Sequence, residues 1–212
     1  LNEGLRMITE GRPPSIIESA AKQLGFPLGP IQLVDETSIE LGAKIARATR
    51  AAMGKSYPND QIDEILFWME DNGRLGRKAN AGFFNYNENG KREGFWTGLE
   101  EKYPISKTTP HLTEVQHRLM FIQALEAVRA LEEGVLMDIR EGDVGAVLGW
   151  GFAPWSGGPL SWLDILGTPY AAERSQELCN TYGPRFDCPP LLADMGKNNE
   201  AVSYTHLRAH ET

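Results

Sequence analysis

The chain has 212 residues, of which 41% are apolar, 24% charged and 9% aromatic, and 21 Lys and Arg against 29 Asp and Glu leave a net charge of −8. The length fits one large domain or two of about 100 residues each. The mixture excludes collagen-like, disordered and disulfide-scaffold classes, and the acidic balance argues against a global electrostatic grip on nucleic acid.

Residues 1–10 carry apolar side chains at Leu1, Leu5 and Ile8, which is helical spacing. Gly11, Pro13 and Pro14 end that helix. Ser15 and Glu18 then form an S-x-x-E capping box ahead of the apolar stripe Ile16, Ile17, Ala20, Ala21 and Leu24, with Gly25 as its C-terminal cap. Pro30 suits the first position of a further helix, expected to run unbroken to about Met53. Gly54 and Pro58 close it, and another helix follows from about Asn59 to Met69. Residues 72–78 form a basic, glycine-rich turn, and the alternation in residues 82–86 predicts a short extended piece.

Residues 87–110 are polar and read as an irregular connection and a domain boundary. Thr113 and Gln116 make a second capping box, opening a long helix through Val115, Leu119, Ile122, Leu125, Val128 and Leu131 that stops at Gly134. Shorter helices are expected near 143–148, 160–166, 170–182 and 191–195, with a Gly/Pro-rich loop over 149–159. The fold class is all-α.

The two halves share an ordered pattern. Glu3-x2-Arg6-x3-Glu10-Gly11 recurs as Glu126-x2-Arg129-x3-Glu133-Gly134. Gly25-Phe26 recurs as Gly151-Phe152, and Gly29-Pro30-x4-Asp35 as Gly158-Pro159-x4-Asp164. Chance matches do not keep such order, so the chain reads as two tandem copies of one helical unit. The repeated Glu/Arg pair, three residues apart on one helix face, is expected to brace packing.

Catalytic motifs are scarce. No G-x-G-x-x-G follows a strand, and neither G-x-S-x-G nor H-E-x-x-H occurs. Of the four histidines, His206 and His210 have one-face spacing but no third metal ligand near them, and His111 and His117 read as surface residues. Cys179 and Cys188 form no framework of bridges and suggest a reducing, cytoplasmic compartment. No apolar run approaches the roughly 18 residues of a membrane span, and no basic n-region precedes an apolar h-region, so no signal peptide is expected.

Two features remain as ligand candidates. The basic turn Arg74, Arg77 and Lys78, with Lys91 and Arg92, is either a phosphate receiver or a solvated turn that partners the excess carboxylates. The loops over 25–30 and 149–159, with Phe26, Leu28, Trp150, Phe152 and Trp155, either line a pocket for an apolar chain or form buried packing.

The segments LNEGLRMITEG, LGFPLGPIQLVDETSIELG, GRLGRKANAGFFNY and EAVRALEEGVLMDIREGDVGAVLGWGFAPWSGGPLSWLDILG resemble the C-terminal region of the fatty-acid oxidation complex alpha subunit, the version of anaerobic β-oxidation above all. That multifunctional protein joins an enoyl-CoA hydratase to an NAD-dependent 3-hydroxyacyl-CoA dehydrogenase. The resemblance implies two tandem helical domains of the 6-phosphogluconate dehydrogenase C-terminal type, residues 1–110 with the linker and 111–200. It implies hydride transfer from a (3S)-3-hydroxyacyl-CoA to NAD, with a His–Glu dyad taking the hydroxyl proton. The dyad, the NAD fold and a substrate-contacting Asn are implied upstream of Leu1, so no catalytic, cofactor-binding or metal residue is assigned in this chain. The first residue, Leu1, falls within a helical pattern, which suits a fragment expected to be inactive alone.

The chain's part is then to close the acyl-CoA cleft and to support subunit contacts, with a thiolase beta subunit and a second copy as implied partners. The substrate-binding residues on this reading are Phe26, Leu28, Arg77, Lys78 and Leu148. Leu148 stands where some relatives have a substrate-contacting Tyr, so only apolar contact carries over, and Ala153 stands where the family often has Pro. Residues 201–212 depart from the family and read as an adapter-derived artefact. The competing reading is a freestanding, non-catalytic helical binding or assembly module.

Overall fold

The computed structural model describes residues 1–57, 61–108 and 111–202. Calls on His206, His210, Pro58 and the tail from residue 203 lie outside the described residues. The described residues form an all-α fold with one two-stranded hairpin. Its elements are α1 (Asn2–Thr9), α2 (Pro14–Gln23), α3 (Pro30–Thr37), α4 (Ile39–Met53), α5 (Gln61–Asp71), β1 (Phe84–Tyr86), β2 (Arg92–Phe95) and α6 (Gly98–Lys102), then α7 (Leu112–Glu132), α8 (Ile139–Trp150), α9 (Pro159–Leu166), α10 (Thr168–Tyr182) and α11 (Pro190–Asn198).

The chain divides into two bodies. The first comprises Leu1–Gln23 and Leu28–Val115; the second comprises Leu24–Pro27 and the chain from Gln116. In the first, Leu5, Met7 and Ile8 of α1 are buried, as are Ile17, Ile31, Ile39, Ile65, Met69 and Phe83. In the second, Met120, Phe121, Leu125 and Val128 of α7 pack with Phe152, Leu160, Leu163, Phe186 and Leu192. Area removed from water at roughly 25 cal/mol per Å² is the main stabilising term in each.

The structure corrects several local expectations. The helix expected over 30–53 is two helices, broken at Ser38, whose φ of +81° and ψ of 120° turn the chain. The apolar period continues across the break, and no glycine marks it. Ser38 Oγ accepts from Leu41 N at 3.4 Å, capping α4. Residues 87–110 contain β2 and α6. β1 and β2 pair antiparallel, Phe84 opposite Phe95, and those two rings stack at 4.1 Å. An aromatic cross-strand pair of this kind holds a short hairpin together.

α8 starts at Ile139, ahead of the expected position. Its cap is a reciprocal box in which Asp138 accepts from the backbone inside the helix and Glu141 accepts from Asp138 N. Thr113 lies inside the first turn of α7, which begins at Leu112, so it does not cap that helix. Ser15 likewise lies inside α2, and Glu18 is turned to a different helix.

Candidate functional site

The repeated Gly-Pro segments open α3 and α9, each eight residues long, and α4 and α10 after them have fifteen residues each. The junctions match: Ser38 has φ 81° and ψ 120°, Gly167 φ 85° and ψ 126°. At each Gly-Pro start, Pro30 or Pro159 has no N–H to satisfy and sets φ for the first turn. The N–H groups that follow are taken by a carboxylate from the preceding helix. Glu18 Oε1 on α2 accepts from Ile31 N at 2.9 Å and Gln32 N at 3.2 Å. Asp143 on α8 accepts from Leu160 N at 2.7 Å, Ser161 N at 3.1 Å and Ser161 Oγ at 2.6 Å.

The glycines are required by these caps. A Cβ on Gly29 would lie 2.3 Å from the Glu18 carboxylate, and one on Gly158 would lie 2.5 Å from Asp143. Burial pushes both carboxyls above their ordinary range, while the donated amides pull them down. The positive ends of the helix dipoles favour the charge there.

The repeated aspartates act one element further on. Asp35 on α3 is buried and accepts from Phe83 N at 2.8 Å, Phe84 N at 3.0 Å and Tyr86 Oη at 2.9 Å. A Cβ on Gly82 would lie 2.3 Å from its carboxylate. Burial raises the Asp35 carboxyl, and burial together with Asp35 holds the Tyr86 phenol well above its ordinary range. Asp164 on α9 accepts from Val202 N at 2.6 Å. Each aspartate thus fastens a later segment of the chain.

The basic turn is engaged internally. Arg74 donates to Gly82 O, Phe84 O and Asn85 Oδ1, and its guanidinium lies 4.6 Å from the Trp96 ring centre. Arg77 pairs with Glu36 at 2.8 Å, Lys78 is exposed, and Arg92 donates to Gln32 Oε1 at 2.6 Å. Of the apolar loop residues, Phe26 meets Phe152 edge-on at 5.7 Å, and Trp155 Nε1 donates to Leu24 O at 2.7 Å, so residues 24–27 are packing of the second body. Leu28 is half-buried in the first body, and Leu148 on α8 is 80% exposed. Phe26 and Leu148 therefore belong to one body, and Leu28, Arg77 and Lys78 to the other. In the repeated Glu/Arg pair, Arg129 binds Glu126 and also donates to Arg185 O and Asp187 O, which ties α7 to the chain before α11.

His117 is a structural residue. Its Nδ1 accepts from Arg174 Nε at 3.1 Å and its ring packs on Phe121 and Tyr170. Burial raises the Cys188 thiol, which lowers its thiolate fraction. Among the described residues no group of three His, Cys, Asp or Glu side chains has the geometry of a metal site. No described helix is long and apolar enough to cross a membrane.

The two Gly-Pro helix starts do not fit a dinucleotide's pyrophosphate. A pyrophosphate needs free N–H groups at a helix start, and at both Gly-Pro starts Glu18 and Asp143 already fill that place with negative charge. Two clefts lie in the first body. A mixed-charge cleft of about 440 Å³ lies between α2 and the hairpin, with Lys22, Arg92, Glu18, Ser19, Phe84 and Phe95 in its walls. A mostly apolar one of about 340 Å³ runs along α4, lined by Leu1, Leu5, Leu41, Ile45 and Leu66.

Sequence spacing exposed Gly29, Gly158, Asp35 and Asp164 but missed Glu18 and Asp143 as their cap partners. The only signal for that role was a carboxylate on the helix before each Gly-Pro, alone on α2 and beside Glu141 on α8.

These features define a class: an all-α protein of two capped-helix repeats, with no dinucleotide fold among its described residues. Residues 1–86 match the family model of the 3-hydroxyacyl-CoA dehydrogenase, C-terminal domain. The chain also resembles two solved structures. One is 3-hydroxybutyryl-CoA dehydrogenase from Escherichia coli K12, with TM-score 0.65 and 18% identity over 93% of this chain and 57% of that one. The other is the dehydrogenase part of multifunctional enzyme 1 from C. elegans, with TM-score 0.66 and 21% identity over 91% of this chain and 44% of that one. At these identities the likeness is one of fold. The chain spans about half the length of either structure.

Proposed function

We propose that the chain is the tandem helical C-terminal part of an NAD-dependent (3S)-3-hydroxyacyl-CoA dehydrogenase of fatty-acid β-oxidation, carried within a multifunctional hydratase/dehydrogenase. The observation that carries this reading is the family match over residues 1–86, which spans the first copy from α1 through β1. The likeness to two dehydrogenase structures over more than nine-tenths of the chain supports it.

On this reading the chain helps to shape and close the acyl-CoA cleft. The nicotinamide chemistry belongs, on the same reading, to a separate NAD-binding domain, in keeping with the carboxylates that already fill the two Gly-Pro helix starts here. The thiolase beta subunit and a second copy are the proposed partners, and the cytoplasm the proposed compartment.

Calorimetric titration with acetoacetyl-CoA tests this. Heat of binding should appear, or strengthen at least tenfold in affinity, when the NAD-binding domain of a 3-hydroxyacyl-CoA dehydrogenase is supplied in trans. Absence of acyl-CoA binding in both arms, with capture of the chain by another protein, would favour a freestanding assembly module.

A further inference from the structure

Asn-Gly occurs twice in the sequence, at Asn72-Gly73 and at Asn89-Gly90. Such a pair is reactive by its own chemistry. Glycine has no side chain to shield its amide nitrogen or to restrict its backbone, so that nitrogen can reach the carbonyl carbon of the asparagine side chain. The rate in a folded chain then depends on how firmly the structure holds the two groups in place. Both asparagines are exposed, but they are held very differently.

Asn72 closes α5. Its backbone N–H donates to Trp68 O at 3.2 Å, and its side-chain Nδ2 donates to the same oxygen at 2.8 Å. Gly73 N donates to Glu70 O at 2.8 Å, and Arg74 N to Met69 O at 2.9 Å. Both reacting groups are thus tied to the last turn of a helix that is anchored by buried Ile65 and Met69 and by Trp68, which stacks on Trp96 at 5.0 Å. Asn89 lies in the turn that joins β1 to β2. The bonds there are local: Asn89 N donates to Asn87 Oδ1 at 3.0 Å, and Gly90 N to Asn87 O at 2.8 Å. Among the described residues none hydrogen-bonds the Asn89 side-chain amide. Gly90 has φ +70°, and a Cβ there would meet only Asn80 Oδ1, at 4.0 Å. No residue of the turn from Asn87 to Gly90 is buried, so opening it uncovers no core.

We propose that Asn89 is a modification site, which deamidates spontaneously in the native protein and does so ahead of Asn72. A base in solvent takes the proton of Gly90 N, and that nitrogen attacks Asn89 Cγ. A C–N bond forms and closes a cyclic imide. The bond from Cγ to the side-chain nitrogen breaks, and that nitrogen leaves as ammonia with a proton from water. Water then adds to either carbonyl of the ring and opens it, giving aspartate or its β-linked isomer; nothing is oxidised or reduced. Either product replaces a neutral amide by a carboxylate, and the β-linked one adds a carbon to the backbone of the turn. Both changes fall on the connection that sets the hairpin register, Phe84 opposite Phe95 and Tyr86 opposite Arg92. The rate rises with pH, because the attacking nitrogen must first lose its proton. The site is independent of the dehydrogenase reading.

The test incubates the full chain in mildly alkaline buffer, with and without concentrated urea, and follows the peptides carrying Asn72 and Asn89 by mass spectrometry. In the native chain the Asn89 peptide should gain one mass unit at least about tenfold faster than the Asn72 peptide, since an exposed turn opens more readily than a packed helix end frays. An isoaspartyl methyltransferase should label the Asn89 peptide, and Asn89→Gln should abolish both signals there. In urea the two rates should converge to within about threefold, because the unfolded chain no longer holds either pair. Equal native rates, Asn72 reacting first, or no gain at Asn89 while the urea-treated chain reacts overturns the proposal. So does a difference that urea leaves unchanged, since the flanking sequence and not the fold would then set it.

Discussion

The two copies solve one problem under different strain. Both start a helix at Gly-Pro and cap it with a carboxylate from the helix before. Gly29 does so with φ at −72°, open to any residue, and only the approach of Glu18 demands glycine. Gly158 does so at φ 131°, with the Asp143 backbone and carboxylate both 2.5 Å from where a Cβ would stand. The chemistry of the cap is shared, whereas the backbone geometry around it is not. A helix start can therefore keep its electrostatic logic while the loop leading to it changes length.

The largest expected effect separates these contributions. Gly158→Ala meets both a clash and a disfavoured φ, and should cost about 3–5 kcal/mol. Gly29→Ala meets only the clash with a side chain that can shift, and should cost about 1–3 kcal/mol. Denaturant titration of both variants decides it, and equal losses would mean that strain at Gly158 contributes nothing.

Removing the caps comes next. Asp143→Asn turns an amide NH2 group toward the Ser161 donors and should cost about 1–3 kcal/mol, whereas Glu18→Gln can keep its carbonyl oxygen on Ile31 N and Gln32 N and should cost about 1 kcal/mol. Asp143→Asn should be the costlier, because Asp143 also accepts from Ser161 Oγ. If Glu18→Gln proves the more damaging by urea titration, the two caps are not equivalent devices.

The junction residues offer a smaller contrast. Gly167→Ser places a side chain at φ 85° and should lose about 1 kcal/mol. Ser38→Gly relieves the same conformation but gives up a long cap bond of 3.4 Å, and should change Tm by no more than a degree or two.

The smallest effect is in pH dependence. Glu18, Asp35 and Asp143 all have carboxyls raised by burial, so the folded state holds protons that the unfolded chain has released. Their contribution to stability is complete below the ordinary carboxylate range, about pH 4. It falls as pH rises through their raised values and is constant above them. Glu70, lowered by Arg47, works in the opposite direction. Subtracting the stability profile of Asp35→Asn from that of the parent isolates one raised group. The difference should decline with rising pH, and a difference that climbs would refute the assignment.

The repeat was legible because Gly-Pro and the aspartate after it keep a fixed spacing in both copies. All-α character was legible from apolar periodicity. Glu18 and Asp143 stayed hidden because they stand at unequal distances from their glycines, and their role is set by packing in space. Glu18 also satisfied a local capping pattern, and burial against α3 overrode it. The break at Ser38 carried no glycine to announce it. β2 was masked by its polar setting, since only Phe95 and Trp96 mark it as packed against Phe84 and Trp68. The cationic turn looked available for an anion, but Arg74 is occupied by carbonyls of the same turn and of the hairpin it leads into.

The most direct test of the dehydrogenase reading is NADH-dependent reduction of acetoacetyl-CoA, measured for the chain alone and then with an NAD-binding domain added in trans. No turnover alone, with turnover restored by the added domain above that domain's own rate, is the predicted result. NADH consumption by the chain alone, or no gain over the added domain, would contradict it.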